Sequence, residues 1–146
     1  MQHTILGGRF TLADGTPLPL SKAIRAGDFV FLSGQLGLDE NGRIADGIEA
    51  QTRHCLRHIR SLLALQHIWP ETLFMVGSLL ALAGVELSAV VKATVWLTEV
   101  GDFAAFNRVY AEAFADAPPV RSTVVSGLVL PGAKVEIEVI AYAPAA

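Results

Sequence analysis

The stretch that decides the fold runs from Ala117 to Pro144 and reads APPVRSTVVSGLVLPGAKVEIEVIAYAP. Its last part, Val135 to Tyr142, has the composition of a strand, and a strand sends alternate side chains to opposite faces. Val135, Ile137, Val139 and Ala141 then share one face, which suits a helix layer, while Glu136, Glu138, Ile140 and Tyr142 share the other. Two carboxylates among apolar residues admit two readings. One is an edge strand whose charges deter aggregation. The other is a cleft wall with a carboxylate available as general base or water holder. Arg121 has a similar pair of readings: an arginine in a surface ion pair, or a guanidinium fixed behind Pro118 and Pro119 whose planar fork suits a carboxylate.

Working back from that stretch, RSTVVSGLVL is a further strand, joined to the last one across the turn at Pro131 and Gly132. VVKATVWLTEV is another, rich in β-branched residues. Between these two strands, Asp102 caps a helix in which Phe103, Phe106, Tyr110, Ala113 and Phe114 share a face, and ADAPP ends it. Nearer the start, TPLPLSKAIRAGD is a proline-stiffened extended lead-in. FVFLSGQLGL is a strand that Gly34 and Gly37 end in a turn, and DENGR is a loop tip. Asp46 and Glu49 form a capping-box-like start for a second helix, with a buried stripe of Ile48, Thr52, Cys55, Ile59, Leu62 and Leu63. The order strand, helix, strand, helix, strand, strand predicts an α+β two-layer sandwich, a mixed β-sheet with two main helices packed on one face.

One segment fits this plan less easily. The word SLLAL begins at Ser61 and again at Ser78. Chance repetition in a Leu- and Ala-rich helix is one reading, and an inserted segment at 66–82 within a single domain 1–146 is the other. Pro70 cannot continue a helix interior, so the first helix ends or kinks near Trp69.

Composition narrows the function classes. The chain has 146 residues, 52% of them hydrophobic and 17% charged, with a mean hydropathy of +0.47. That is more apolar material than a monomer of this size needs, which points to cover from another subunit. A net charge of −3 and a pI near 5.7 give no field that would gather polyanions, so nucleic acid is disfavoured. Cys55 is the single cysteine, which rules out an internal disulfide and a Cys-rich metal site. The start has no signal-peptide pattern. The longest charge-free stretch, TLFMVGSLLALAGV, is shorter than the ~20 residues that cross a bilayer. A cytoplasmic protein with no membrane partner is expected. His54 and His58 have a zinc-compatible spacing, but Arg53, Arg57 and Arg60 surround them, so a solvated basic face is expected and no metal site. Ser33-Gly34-Gln35 lacks the nucleophile-elbow pattern, and Gly7-Gly8 is too short for a phosphate loop.

AGDFVFLSGQLGLD, IEAQTRHCLRHIRSLLA, VVKATVWLTEVGDFAAFNRVYAEAF, PPVRSTV and VEIEVIAYA, in this order, resemble the RidA/YjgF family of enamine/imine deaminases. The resemblance runs from about Pro19 to Tyr142, broken between the two SLLAL words, where removing the segment would restore the family's spacing. It implies a chorismate-mutase-like fold in a barrel-like homotrimer with pockets at the subunit interfaces. It also implies cofactor-independent hydrolysis of 2-imino acids, or their enamine tautomers such as 2-aminoacrylate and 2-aminocrotonate, to 2-keto acids and ammonia. Carried over by position, Arg121 corresponds to the arginine that holds the substrate carboxylate and Glu136 to the glutamate that positions water. Ser33, Gly34, Asn107 and Thr123 correspond to pocket residues. Leu20 departs from the family pattern, in which a tyrosine is common, so the substrate range is left open. Two other classes stay in view: an RNA-directed endoribonuclease or translation inhibitor, and a non-catalytic binding or chaperone-like trimer.

Overall fold

The structure is a computed structural model that describes residues 3–12, 14–64 and 87–144. The insertion assigned to 66–82 lies outside the described residues. Six strands form one mixed sheet: β1 (Thr4–Thr11), β2 (Pro17–Ala26), β3 (Phe29–Leu36), β4 (Val90–Leu97), β5 (Val120–Val125) and β6 (Val135–Tyr142), in the order β1-β2-β3-β6-β4-β5. Two main helices, α1 (Gly47–Ala64) and α2 (Phe103–Ala113), complete the two-layer sandwich. α1 packs on β3 and β6, and α2 packs beside α1.

The last strand settles the question its carboxylates raised. β6 lies between β3 and β4, antiparallel to both, so the edge-strand reading is overturned. Its even-spaced apolar set, Val135, Ile137, Val139 and Ala141, is buried under the helices with Val30, Leu32, Ala93 and Val95. The α1 stripe closes on the same core, and Cys55 sits in it as a small hydrophobe, its Sγ donating to the Gln35 carbonyl at 3.2 Å.

Several local expectations change. The lead-in and the residues before it form a hairpin, β1 against β2, where no first strand was expected. The apolar alternation in that region is weak and most of its residues are exposed, so periodicity carried little signal. β5 and β6 do not form a hairpin: β5 ends at Val125 and, among the described residues, pairs only with β4, in parallel. Asp102 stands at the N-cap of α2 but makes no cap bond; its carboxylate takes Lys134 Nζ at 2.9 Å instead. Lys134 follows the Pro131–Gly132 turn, so this ion pair ties α2 to the start of β6.

Gly34 lies inside β3, and the strand ends only at Leu36. Gly37 then lets the backbone pass against α1, where Gln51 is buried and spans three segments. Gln51 Nε2 donates to the carbonyls of Ala45 and Gly132, and its Oε1 accepts from the Lys134 amide at 2.7 Å. No described helix is long and apolar enough to cross a membrane.

A Cβ on Gly37 would overlap the backbone Cα and the Cβ of Gln51. Gly37→Ala is therefore expected to destabilise the fold by about 2 kcal/mol or more, the scale of core overpacking. A lowered urea midpoint would register it.

Candidate active site

Among the described residues the sheet has one face under the helices and one open, and the six candidate residues divide between them. Arg121 and Thr123 sit on β5 opposite Ala93 and Val95 of β4, both buried beneath the helix layer. Residues paired across a sheet share its face, so both side chains belong to the helix side. There the Arg121 guanidinium lies 4.6 Å from the Tyr110 ring centroid, 5.4 Å from Phe106 and 5.8 Å from Phe103. Its Nη2 donates to Asn107 Oδ1 at 2.9 Å. Arg121, Asn107 and Thr123 thus form one cluster, with β5 and α2 as its two walls.

The cluster is short of partners. A guanidinium has five donors, and among the described residues Arg121 has one side-chain hydrogen bond and no carboxylate within ion-pair distance. Thr123 Oγ1 and the Tyr110 hydroxyl are buried with no hydrogen-bond partner among the described residues. Burial pushes the Tyr110 phenol up to about 12, with the positive charge of Arg121 opposing, so it stays protonated at neutral pH. A half-buried cation beside the unpartnered Thr123 hydroxyl is a place that suits an anion's oxygens.

Ser33, Gly34 and Glu136 form the second cluster, on the open face. Glu136 pairs with Trp96 of β4 and Leu36 of β3, and Glu138 pairs with Thr94. An added Cβ at Gly34 would collide with the Glu136 carboxylate where it stands, so the bare glycine lets that side chain keep its place. The pairing of β3 with β6 is irregular between Leu32 and Gln35, which is how Gly34 comes to face Glu136. Ser33 Oγ donates to the Ser21 carbonyl at 2.7 Å. Beside them is a cleft of about 390 Å³ lined by Ser21, Ile24, Phe31, Ser33, Glu138 and Ile140. Glu136 is half-buried; desolvation first, and then the negative charge of Glu138, hold its pKa above the ordinary glutamate value.

Arg121 and Glu136 of one chain therefore stand on opposite faces of the same sheet. No rotamer change brings them to one substrate. A site that uses both has to take them from two copies. The open face carries exposed apolar side chains: Phe29, Phe31 and Tyr142 are 40–48% exposed, with the Phe29 and Tyr142 rings 5.4 Å apart. That is a large apolar area to leave uncovered.

The sequence shows the α2 aromatics only as residues that share a helix face. Their spacing on the helix, with Asn107 beside Phe106, was the available signal; that β5 lays Arg121 across them was not visible without the sheet order. Two arginines of the α1 basic face have partners, and Arg108 of α2 joins one of them on a shared glutamate. Arg53 and Arg108 pair with Glu49, and Arg57 contacts Glu40 and His54. No group of metal-ligating side chains occurs among the described residues.

Removing the neighbouring charge tests the electrostatics directly. Glu138→Gln is expected to lower the Glu136 pKa toward, though not to, the ordinary range, because burial remains. Carboxyl-carbon NMR titration of both proteins measures the shift.

The profile of the family described as Endoribonuclease L-PSP matches residues 15–76 and 69–143. A RutC family protein of Pyrococcus horikoshii is 37% identical over 126 residues, spanning 85% of this chain and 86% of that protein. The 3-aminoacrylate deaminase RutC of Acinetobacter baylyi is 35% identical over 136 residues, 90% of this chain and 94% of that protein. Among solved structures, RidA from an Antarctic Psychrobacter superposes with a TM-score of 0.71 at 30% identity, covering 95% of this chain and 98% of that one.

Proposed function

The chain belongs to the Endoribonuclease L-PSP family, the RidA/YjgF group, and from that premise we propose that it is a cytoplasmic deaminase hydrolysing 2-imino acids and their enamine tautomers to 2-keto acids and ammonia. The observation that carries this reading is the half-buried Arg121 guanidinium with no carboxylate partner among the described residues. A buried charge without a counter-ion is unfavourable, and a substrate carboxylate would supply the missing anion in a bidentate pair. The family includes a relative named for deaminating 3-aminoacrylate, an enamine that carries such a carboxylate.

The residues divide the chemistry in a way that balances. Arg121, steadied by Asn107, binds the carboxylate and thereby orients the adjacent C=N carbon, the proximity advantage of a bound reactant. The Thr123 hydroxyl is a second donor beside it. The Glu136 carboxylate, lined up by Gly34, takes a proton from water as the water oxygen bonds to the C=N⁺ carbon. The resulting carbinolamine receives that proton on nitrogen from Glu136, the C–N bond breaks as the hydroxyl gives its own proton back to the Glu136 carboxylate, and ammonia leaves with the 2-keto acid behind. A pKa above the usual glutamate value suits Glu136 to both receiving and returning that proton. Since Arg121 and Glu136 of one chain are on opposite faces, each site draws them from adjacent subunits of a homotrimer whose open sheet faces turn inward.

The rival reading, cleavage of RNA, takes its support from the family description. Against it stand the acidic balance of the chain and a basic helix face on which Arg53 and Arg57 are in contact with carboxylates.

Subunit mixing tests the two-copy site. Arg121→Ala should lower kcat/KM for 2-aminoacrylate about 100-fold or more, the scale of a lost charged hydrogen bond. Glu136→Gln should lower it by about 10²–10⁴, the scale of a lost general base. Unfolded together and refolded as mixed trimers, the two inactive variants should recover up to about a quarter of the native rate, the statistical share of sites with both residues intact. No recovery, with both variants folded and trimeric, would refute a site shared between subunits. RNA cleavage without deaminase activity would favour the rival.

A further inference from the structure

We propose, resting on the reading of Arg121 as the carboxylate clamp, that Phe103, Phe106 and Tyr110 are positioning residues: their rings form an aromatic seat that fixes the guanidinium before substrate arrives. The three rings lie on one side of α2, and the guanidinium carbon is within 6 Å of all three centroids, the range in which a cation is attracted to a ring face. Phe106 and Tyr110 are buried and make the floor, their own rings 5.4 Å apart. Phe103 is 41% exposed and makes the rim.

An arginine side chain on an edge strand has many rotamers, and freezing it at the moment of binding weakens capture. Stacking removes that freedom in advance. A ring attracts the cation without taking an N–H donor, so the donors other than the one on Asn107 stay available to a carboxylate. Asn107, on the same helix, takes one donor and sets the remaining rotation about the stack. Lysine could not use such a seat in this way, lacking a planar fork. The Tyr110 ring, 4.6 Å from the guanidinium carbon, is the part of Tyr110 that the seat requires.

Aromatic residues on the inner side of a helix also fill a core, so the test has to separate a seat from a filler. Calorimetry would measure the Kd of 2-oxobutanoate, which carries the carboxylate, and of its uncharged methyl ester, alongside kcat and KM for 2-aminoacrylate generated in situ. Phe103→Leu and Tyr110→Leu should weaken 2-oxobutanoate about tenfold, within the range of a desolvated cation–π contact. They should leave the ester unchanged and raise KM more than they lower kcat. Tyr110→Phe, which keeps the ring, should retain native binding. Phe103 is at the rim, so its variant remains informative even if Tyr110→Leu fails to fold. Equal weakening of acid and ester, or none, overturns the seat, provided Arg121→Ala abolishes the preference for the acid. If Arg121→Ala itself keeps that preference, the clamp reading fails, and the seat fails with it.

Discussion

The pleat of β6 in the middle of the sheet is the constraint on which everything else rests. With β3 on one side and β4 on the other, its register is held from both edges. Val135, Ile137, Val139 and Ala141 are buried beneath the helices, so Glu136 and Glu138 have only the open face left to them. A slip of one residue would put both carboxylates into the core and four apolar side chains outside. The same parity, passed through β4 to β5, sets Arg121 on the helix side beside Ala93. Hydrophobic burial thus separates the cation and the carboxylate by the thickness of a sheet.

That separation gives each group a different electrostatic problem. Arg121 is held among rings and an amide, an environment that orients a positive charge without neutralising it. Glu136 sits against Gly34 with a second carboxylate two residues away, so burial and repulsion both favour its protonated form. One place lacks an anion and the other holds a proton more tightly than an ordinary glutamate does. The proposed hydrolysis uses both, with the substrate's acid group at the first and its C=N carbon near the second. The exposed Phe29, Phe31 and Tyr142 give the open face a reason to pack against a neighbour.

How much of this was legible beforehand depends on the range of the interaction involved. The α1 stripe from Ile48 to Leu63 was readable because helical periodicity is a local signal, and every member of it is buried. The buried set on β6 was readable for the same reason. Asp102 misled, since the cap preference is local but a lysine after the Pro131–Gly132 turn outcompetes it. The β1–β2 hairpin was missed because its residues are mostly exposed and leave no apolar period. Gly34 looked like a strand terminator, whereas its bareness answers to Glu136 on another strand.

The sequence by itself determined the layers: two amphipathic helices, strands with one apolar side, and the residue types of the candidate site, all consequences of spacing along the chain. Strand order belonged to the tertiary structure, because which strands pair depends on contacts between distant segments, and a local pattern carries no address. From that order came the central place of β6, the parallel edge strand β5 and the aromatic surroundings of Arg121. The separation of Arg121 from Glu136 came from it too, since the face of a sheet on which a side chain lies is fixed only once its strand has neighbours.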